Sequence, residues 1–340
     1  MHGVLINFWF FLIAVLWTGY LFLEGFDFGV GMLLPFMGWD DGDRRLLINT
    51  IGPFWDGNEV WLVVAAGATF AAFPGWYATL FSGFYLVLLV ILVALICRAV
   101  AFEFRGKDRA LKWRRWWDRA IFFGSLLPAV LWGIALSDML HGVPIGRSGD
   151  FAGSVLDLLQ PYALLGGAMF ALVFLLHGAL FVAVRTREDM SERALRAARR
   201  IWPVSAAAVL AFLAWSYVNA VTAGYKGLVP DAVPIAALGV LVAVSWLVRE
   251  RLAGWAFAAT GTAIILITAT IFLNLYPRVM VSSLGRAYDL TISNTSSSAY
   301  TLTVMTIVAA VFTPLVLLYQ GWTYWVFRRR IGRRDLAGGY

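Results

Sequence analysis

Glu24 and Asp27 stand three residues apart inside a long apolar run, Leu23-Glu24-Gly25-Phe26-Asp27-Phe28-Gly29-Val30-Gly31. Asp56 and Glu59 repeat that spacing in Gly52-Pro53-Phe54-Trp55-Asp56-Gly57-Asn58-Glu59-Val60-Trp61. Residues three apart share a helix face, so each pair would present two carboxyls together. The first run stays apolar to Phe36, so Glu24 and Asp27 are not simply the charged end of a span. Gly25, Gly29 and Gly31 allow either a break in the helix or close approach by a neighbour. Pro53 suits a first helical turn, where its missing N–H is not needed, which puts Asp56 and Glu59 about one turn inside the edge. Acids in an apolar layer are costly unless neutral, paired or hydrated, so all four are candidates for a functional site. Desolvation and mutual repulsion disfavour their charged forms, which is what a proton relay uses. The plainer reading of Asp56 and Glu59 is a partly wet N-terminal turn stabilised by the helix dipole.

The other polar residues carry less. His177 sits within an apolar run and could ligate a haem, but a lone buried histidine is better read as a hydrogen-bonding group. His2 and His141 lie near span ends, and Glu103 and Asp118 fall in a basic stretch where surface pairing suffices. The single cysteine, Cys97, excludes intramolecular disulfides, thiolate-built zinc sites and cysteine-held iron–sulfur clusters. No metal site is expected.

What must position these acids is a membrane. The 340 residues are 61% hydrophobic and 14% charged, with a mean hydropathy of +0.77. A water-soluble surface needs nearer a quarter charged residues, and the long unalternated runs call for helices rather than a barrel. Spans are expected at 5–24, 53–73, 77–97, 120–140, 160–184, 202–221, 233–249, 254–276 and 303–327, each near the roughly 20 residues that cross a bilayer. The first is read as a retained helix, because it lacks the basic lead of a cleavable signal. With the N-terminus outside, all but four of the 27 Lys and Arg fall on the inner side. The four are Arg147, Lys226, Arg278 and Arg286, while the stretch from Arg98 to Arg119 counts as inner loop. Nine spans satisfy this charge bias; an even number breaks the alternation. The net charge of +7 follows from topology, so no nucleic acid is implied. Trp113, Trp116, Trp117, Trp322, Tyr324 and Trp325 suit the interfacial aromatic belt. The whole of 1–340 reads as one integral membrane domain. The first two spans are expected to pack antiparallel across a short loop, so that four carboxyls meet near the inner leaflet.

Glu24-Gly-Phe-Asp27-Phe-Gly-Val-Gly31, then Trp55-Asp56-Gly-Asn58-Glu59-Val-Trp61-Leu, then Ala72-Phe73-Pro74 with Tyr77 and Phe84-Tyr85, resemble subunit II of bacterial cytochrome bd-type quinol oxidases. The Tyr276-Pro277 step, Ser282-Ser283 and Ser296-Ser297-Ser298 extend the likeness in order to the last span. The resemblance implies an all-α fold of nine transmembrane helices, arranged as two four-helix bundles and a peripheral helix. It implies a partner, subunit I, that holds two haems b and one haem d. It also implies a complex that oxidises quinol and reduces dioxygen to water with cytoplasmic protons, contributing to the proton gradient. In that family subunit II supplies acids of a proton path, matching Glu24, Asp27 and Asp56. The family pattern also leaves room for a structural quinone and for small accessory subunits. Glu24 stands where the pattern also has aspartate, which keeps the acidity but changes the reach. The expected location is the bacterial cell membrane, multi-pass among its lipids, with the C-terminus in the cytoplasm.

One intramembrane histidine and one cysteine could not ligate three haems, so a haem-bearing partner is required. The alternatives are a proton-coupled secondary transporter, disfavoured because the acids sit near one face and only in the first two spans, and a purely structural scaffold.

Overall fold

The computed structural model describes residues 2–222 and 232–338, and Lys226 lies outside them. Eleven α-helices account for most of the described chain: α1 His2–Met37, α2 Asp41–Ile51, α3 Trp55–Ala72, α4 Pro74–Gly83, α5 Tyr85–Phe104, α6 Leu111–His141, α7 Pro161–Arg185, α8 Glu188–Thr222, α9 Ala232–Arg249, α10 Ala253–Leu275 and α11 Ala299–Val326. Eight of them are long and apolar enough to cross a membrane. The ninth expected span is α3, whose opening Trp-Asp-Gly-Asn-Glu lowers its hydropathy. It nevertheless runs antiparallel along α1, with Trp17 of α1 donating to Thr69 at 3.3 Å and Asn58 donating to Asp27 at 2.7 Å. The helices form an all-α membrane protein in which α1, α3, α5 and α6 pack together, α7 to α10 form a second group, and α11 lies outside both.

Three expectations about the first quarter need correction. The connection between the first two spans is not a short loop but holds α2, capped by Asp40, whose side chain accepts from the Asp43 amide at 2.8 Å. The span expected at 77–97 splits in two. Pro74 opens the short helix α4, the chain bends at Phe84, and the crossing helix is Tyr85–Phe104. Arg98 is therefore inside a span, fully buried, and not part of the inner loop. Hydropathy marked it as a boundary because a charge ends an apolar run; partners from other helices are what permit it to stay inside.

The glycines of α1 serve close approach, since α1 is unbroken over 36 residues. A Cβ on Gly29 would stand 2.0 Å from the carbonyl oxygen of Phe174, and one on Gly178 would stand 2.4 Å from Gly29. The two backbones touch at that crossing, as small residues permit where lipid provides no hydrophobic drive.

One set of helix ends is tied by the 277–298 connection. Its two short strands, Arg278–Met280 and Leu290–Thr291, pair antiparallel, Val143 donates to Val281, and Ser297 donates to Ala72. At the other end the acidic start of α2 is a hub. Asp43 pairs with Arg193 and Arg333, Asp41 with Arg105 and Arg114, and Asp118 with Arg44 at 2.7 Å and Arg105 at 2.5 Å. Asp118 is thus nearly buried in a network rather than a surface pair.

Helix α11 buries only Leu302 among its residues. Two sets of polar contacts hold it: Trp9 donates to Thr306 at 3.0 Å toward one end, and Gln320 and Tyr324 donate to Asn58 toward the other. Between them lies a groove of about 920 Å³ against α1 and α3.

Candidate functional site

Glu24 and Asp27 point inward from α1 and are fully buried. Arg98 of α5 reaches them because α6 gives way: Gly124 faces it, and a Cβ there would stand 2.7 Å from both the Ala94 carbonyl and the Arg98 Cβ. The Nη2 of Arg98 donates to Glu24 Oε1, and the same nitrogen donates to Glu59 Oε1 of α3 at 2.8 Å. The guanidinium also lies over the Phe28 ring at 4.7 Å, an attraction to the aromatic face.

Asp27 takes a different partner. Its Oδ2 accepts from Asn58 Nδ2 at 2.7 Å, and Asn58 Oδ1 accepts from Tyr324 at 2.9 Å and Gln320 at 3.2 Å. Gln320 in turn accepts from Trp61 at 2.7 Å. Tyr324 is therefore not only an interfacial ring: it stacks on Phe54 at 4.5 Å and seals the polar chain.

The structure brings three of the four expected acids together. Asp56 stands apart, exposed on the first turn of α3 where it lines the groove against α11, one turn from the part-buried Glu59. Sequence reasoning missed Arg98 and Asn58. A cation within the reach of a helix carrying two acids was the available signal for Arg98; Asn58 stood in the motif that carries the resemblance but had no role assigned to it.

Charge fixes what this arrangement can do. Two carboxyls share one guanidinium and a third, Asp27, is buried one turn from Glu24 in a low-dielectric interior, so the cluster is balanced only when it also holds protons. Glu24 Oε2 and Asp27 Oδ1 make no hydrogen bond within the protein, which leaves each with an acceptor position for a proton or water. Asp138 of α6 is a further fully buried acid, with neither oxygen bonded, far along the chain from this cluster.

The chain matches the family described as cytochrome bd terminal oxidase subunit II over residues 5–327. The chain belongs to that family. Cytochrome bd ubiquinol oxidase subunit 2 of Bacillus subtilis (strain 168) is 46% identical over 329 residues, 96% of this chain and 97% of that protein. Cytochrome bd-I ubiquinol oxidase subunit 2 of Escherichia coli (strain K12) is 35% identical over 368 residues, 98% of this chain and 97% of that one. In fold, the bd oxidase structure from Geobacillus thermodenitrificans superposes with a TM-score of 0.74 over 99% of this chain and 100% of that chain, at 18% identity. As a bd oxidase subunit II, the protein is one part of an oxidoreductase complex and has a subunit I as partner. Membership in this family favours the oxidase reading over the transporter.

The family implies haem in the complex, and this chain's residues do not fit one. His177 is fully buried, its Nδ1 is 2.7 Å from Thr260 Oγ1, and Phe257 stacks on the ring at 4.3 Å. Phe22 and Phe26 crowd it further, beside the α1–α7 contact where the backbones touch. A macrocycle has no room there. His141 stacks on Tyr162 at 5.1 Å and meets Asn219 at 3.0 Å. Among the described residues no three His, Cys, Asp or Glu side chains converge as a metal site.

Proposed function

We propose that this subunit delivers cytoplasmic protons to the haem-bearing partner of a bd-type oxidase that oxidises quinol and reduces dioxygen to water, adding to the proton gradient. The observation that carries this is the buried cluster of Glu24, Asp27 and Glu59 around Arg98, which has more carboxyls than cations and two bare carboxyl oxygens. Asp56, exposed, and Glu59, its side chain 20% exposed, lead from the arginine-rich end toward it. That end is read as cytoplasmic from the placement of the arginines, with the N-terminus on the other side.

The haems, two b and one d, belong to the partner on this reading, because His177 has no space beside it. The groove between α11 and α3 suits a structural quinone. Its walls are apolar (Leu12, Val64, Val308, Phe312), while Gln320 and Tyr324 stand at one end with polar atoms for a ring oxygen.

The test is the assembled complex carrying Glu24→Gln, Asp27→Asn, Asp56→Asn or Glu59→Gln in turn, in vesicles. Oxygen consumption and proton uptake from the cytoplasmic side are read together. We expect turnover to fall at least tenfold for the buried acids with haem content unchanged, the general scale of losing a proton-transfer group. Full turnover and full uptake in all four variants would leave a scaffold role only.

A further inference from the structure

A second cavity, of about 520 Å³, opens at the arginine-rich end between the last turns of α1 and the start of α8. Leu33, Phe36 and Leu175 line its apolar part, and Arg193, Arg196 and Arg200 descend one face of α8 beside it. The three arginines are not equivalent. Arg193 is buried and committed: it donates to Asp43 at 2.8 and 3.0 Å and to the Met37 carbonyl at 3.2 Å, with the Trp39 ring 4.2 Å away. Arg196 and Arg200 are exposed, and neither has an ion pair or hydrogen bond among the described residues. Beside them Phe36 is 68% exposed and Trp39 72% exposed, large rings at the level where the helices leave the lipid.

We infer that this cavity is a binding site for an anionic phospholipid, its phosphodiester held by Arg196 and Arg200 and an acyl chain laid along Leu33, Phe36 and Leu175. Charge complementarity selects the occupant. Two unpaired guanidinium groups above an apolar slot, on the inner side of a membrane, match a negative headgroup joined to a hydrocarbon tail. A free phosphate would leave the slot unfilled, and a zwitterionic lipid would set its own cation against the arginines. Arg193 contributes shape rather than charge, because Asp43 and Asp189 already pair with it. The site would clamp the end of α1 to α8.

The full oxidase complex, purified through a tag on this chain, would be titrated with phosphatidylglycerol in mild detergent and followed by native mass spectrometry. Phosphatidylcholine and inorganic phosphate serve as the other probes. We expect one phosphatidylglycerol to be held in preference to phosphatidylcholine, and Arg196→Gln with Arg200→Gln to weaken it about thirtyfold, the combined effect of two basic residues at an anionic surface. Ala197→Phe, which fills the slot without changing charge, should weaken it as well. Arg329→Gln with Arg330→Gln, an equal charge loss elsewhere on the same side, should not. The visible haem spectrum verifies that each variant is assembled, and Ala197→Phe alone decides the matter should the arginine pair fail to assemble. Equal binding by wild type and the Arg196/Arg200 variant overturns the site. So does equal loss in the Arg329/Arg330 variant, which would mean general surface charge. Displacement of the lipid by millimolar inorganic phosphate would mean that a free anion is the ligand, and would overturn it too.

Discussion

Arg98 of α5 donates to Glu59 of α3 at 2.8 Å through the same nitrogen that meets Glu24 of α1, so one guanidinium joins three helices at the acid cluster. Removing a cation from a buried ion pair leaves uncompensated charge, at a cost of about 3–5 kcal/mol. Arg98→Met is expected to lower the thermal stability of the complex sharply, with loss of assembled protein. Adding Glu24→Gln should recover part of it, because a carboxyl that lost its partner is then neutral. Differential scanning calorimetry of the purified complex reads both, and no recovery in the double variant would mean that Arg98 acts through packing alone.

Asn58 links two things that a single substitution can separate. Asn58→Leu removes the donor to Asp27 and the acceptor for Tyr324 and Gln320, leaving buried polar groups unmatched at about 1–3 kcal/mol each. Turnover is expected to drop severalfold along with stability. Tyr324→Phe loses the tie of α11 to Asn58, about 1 kcal/mol, but keeps the Asn58–Asp27 hydrogen bond, so oxygen consumption should fall less than in Asn58→Leu. Equal turnover defects in the two variants would show that holding α11, not orienting Asp27, is what matters.

The α1–α7 crossing tolerates no added atom. Gly29→Ala places a methyl against the Phe174 carbonyl, so we expect little or no assembled complex in membranes. Gly57→Ala is the control. Nothing lies within 4 Å of its Cβ position and it sits in the first turn of α3, where alanine gains up to about 1 kcal/mol of helix propensity. Haem content per milligram of membrane compares them.

The ion-pair hub at the start of α2 should respond to acid. Although burial opposes its charged form, hydrogen bonds from Arg193 and Arg333 hold the Asp43 carboxyl below its ordinary value of 3.8. A folded value lower than the unfolded one adds stability that is fully present above pH 3.8 and is lost as pH falls through the lower folded value. Hydrogen exchange at residues 328–335 should therefore be slow at pH 7, stay slow to about pH 4, and quicken below it once corrected for the intrinsic rate. In Asp43→Asn the protection should be weaker at pH 7 and flat across that range. An identical profile in both would detach the tail from this ion pair.

The sequence by itself determined the solvent, the element type and the family. An apolar fraction of 61% leaves too little polar covering for water, and runs of about twenty residues admit only helices. It also placed Glu24 and Asp27 within one turn of the same helix, because three residues are less than the roughly 3.6 of a turn. These are local or additive properties, which composition and periodicity express directly.

Tertiary structure alone decided which charges meet. Arg98 looked like the end of a span because hydropathy prices a charge by itself, whereas its cost depends on Glu24 and Glu59, 74 and 39 residues away. Asn58 and Tyr324, 266 residues apart, pair only because α11 leans on α3 at that end. Asp56 and Glu59 occupy the same helix turn, yet one faces the groove and the other the cluster. The rotation of α3 against α1 makes that choice, and rotation is set by packing between helices, which no window along one chain contains.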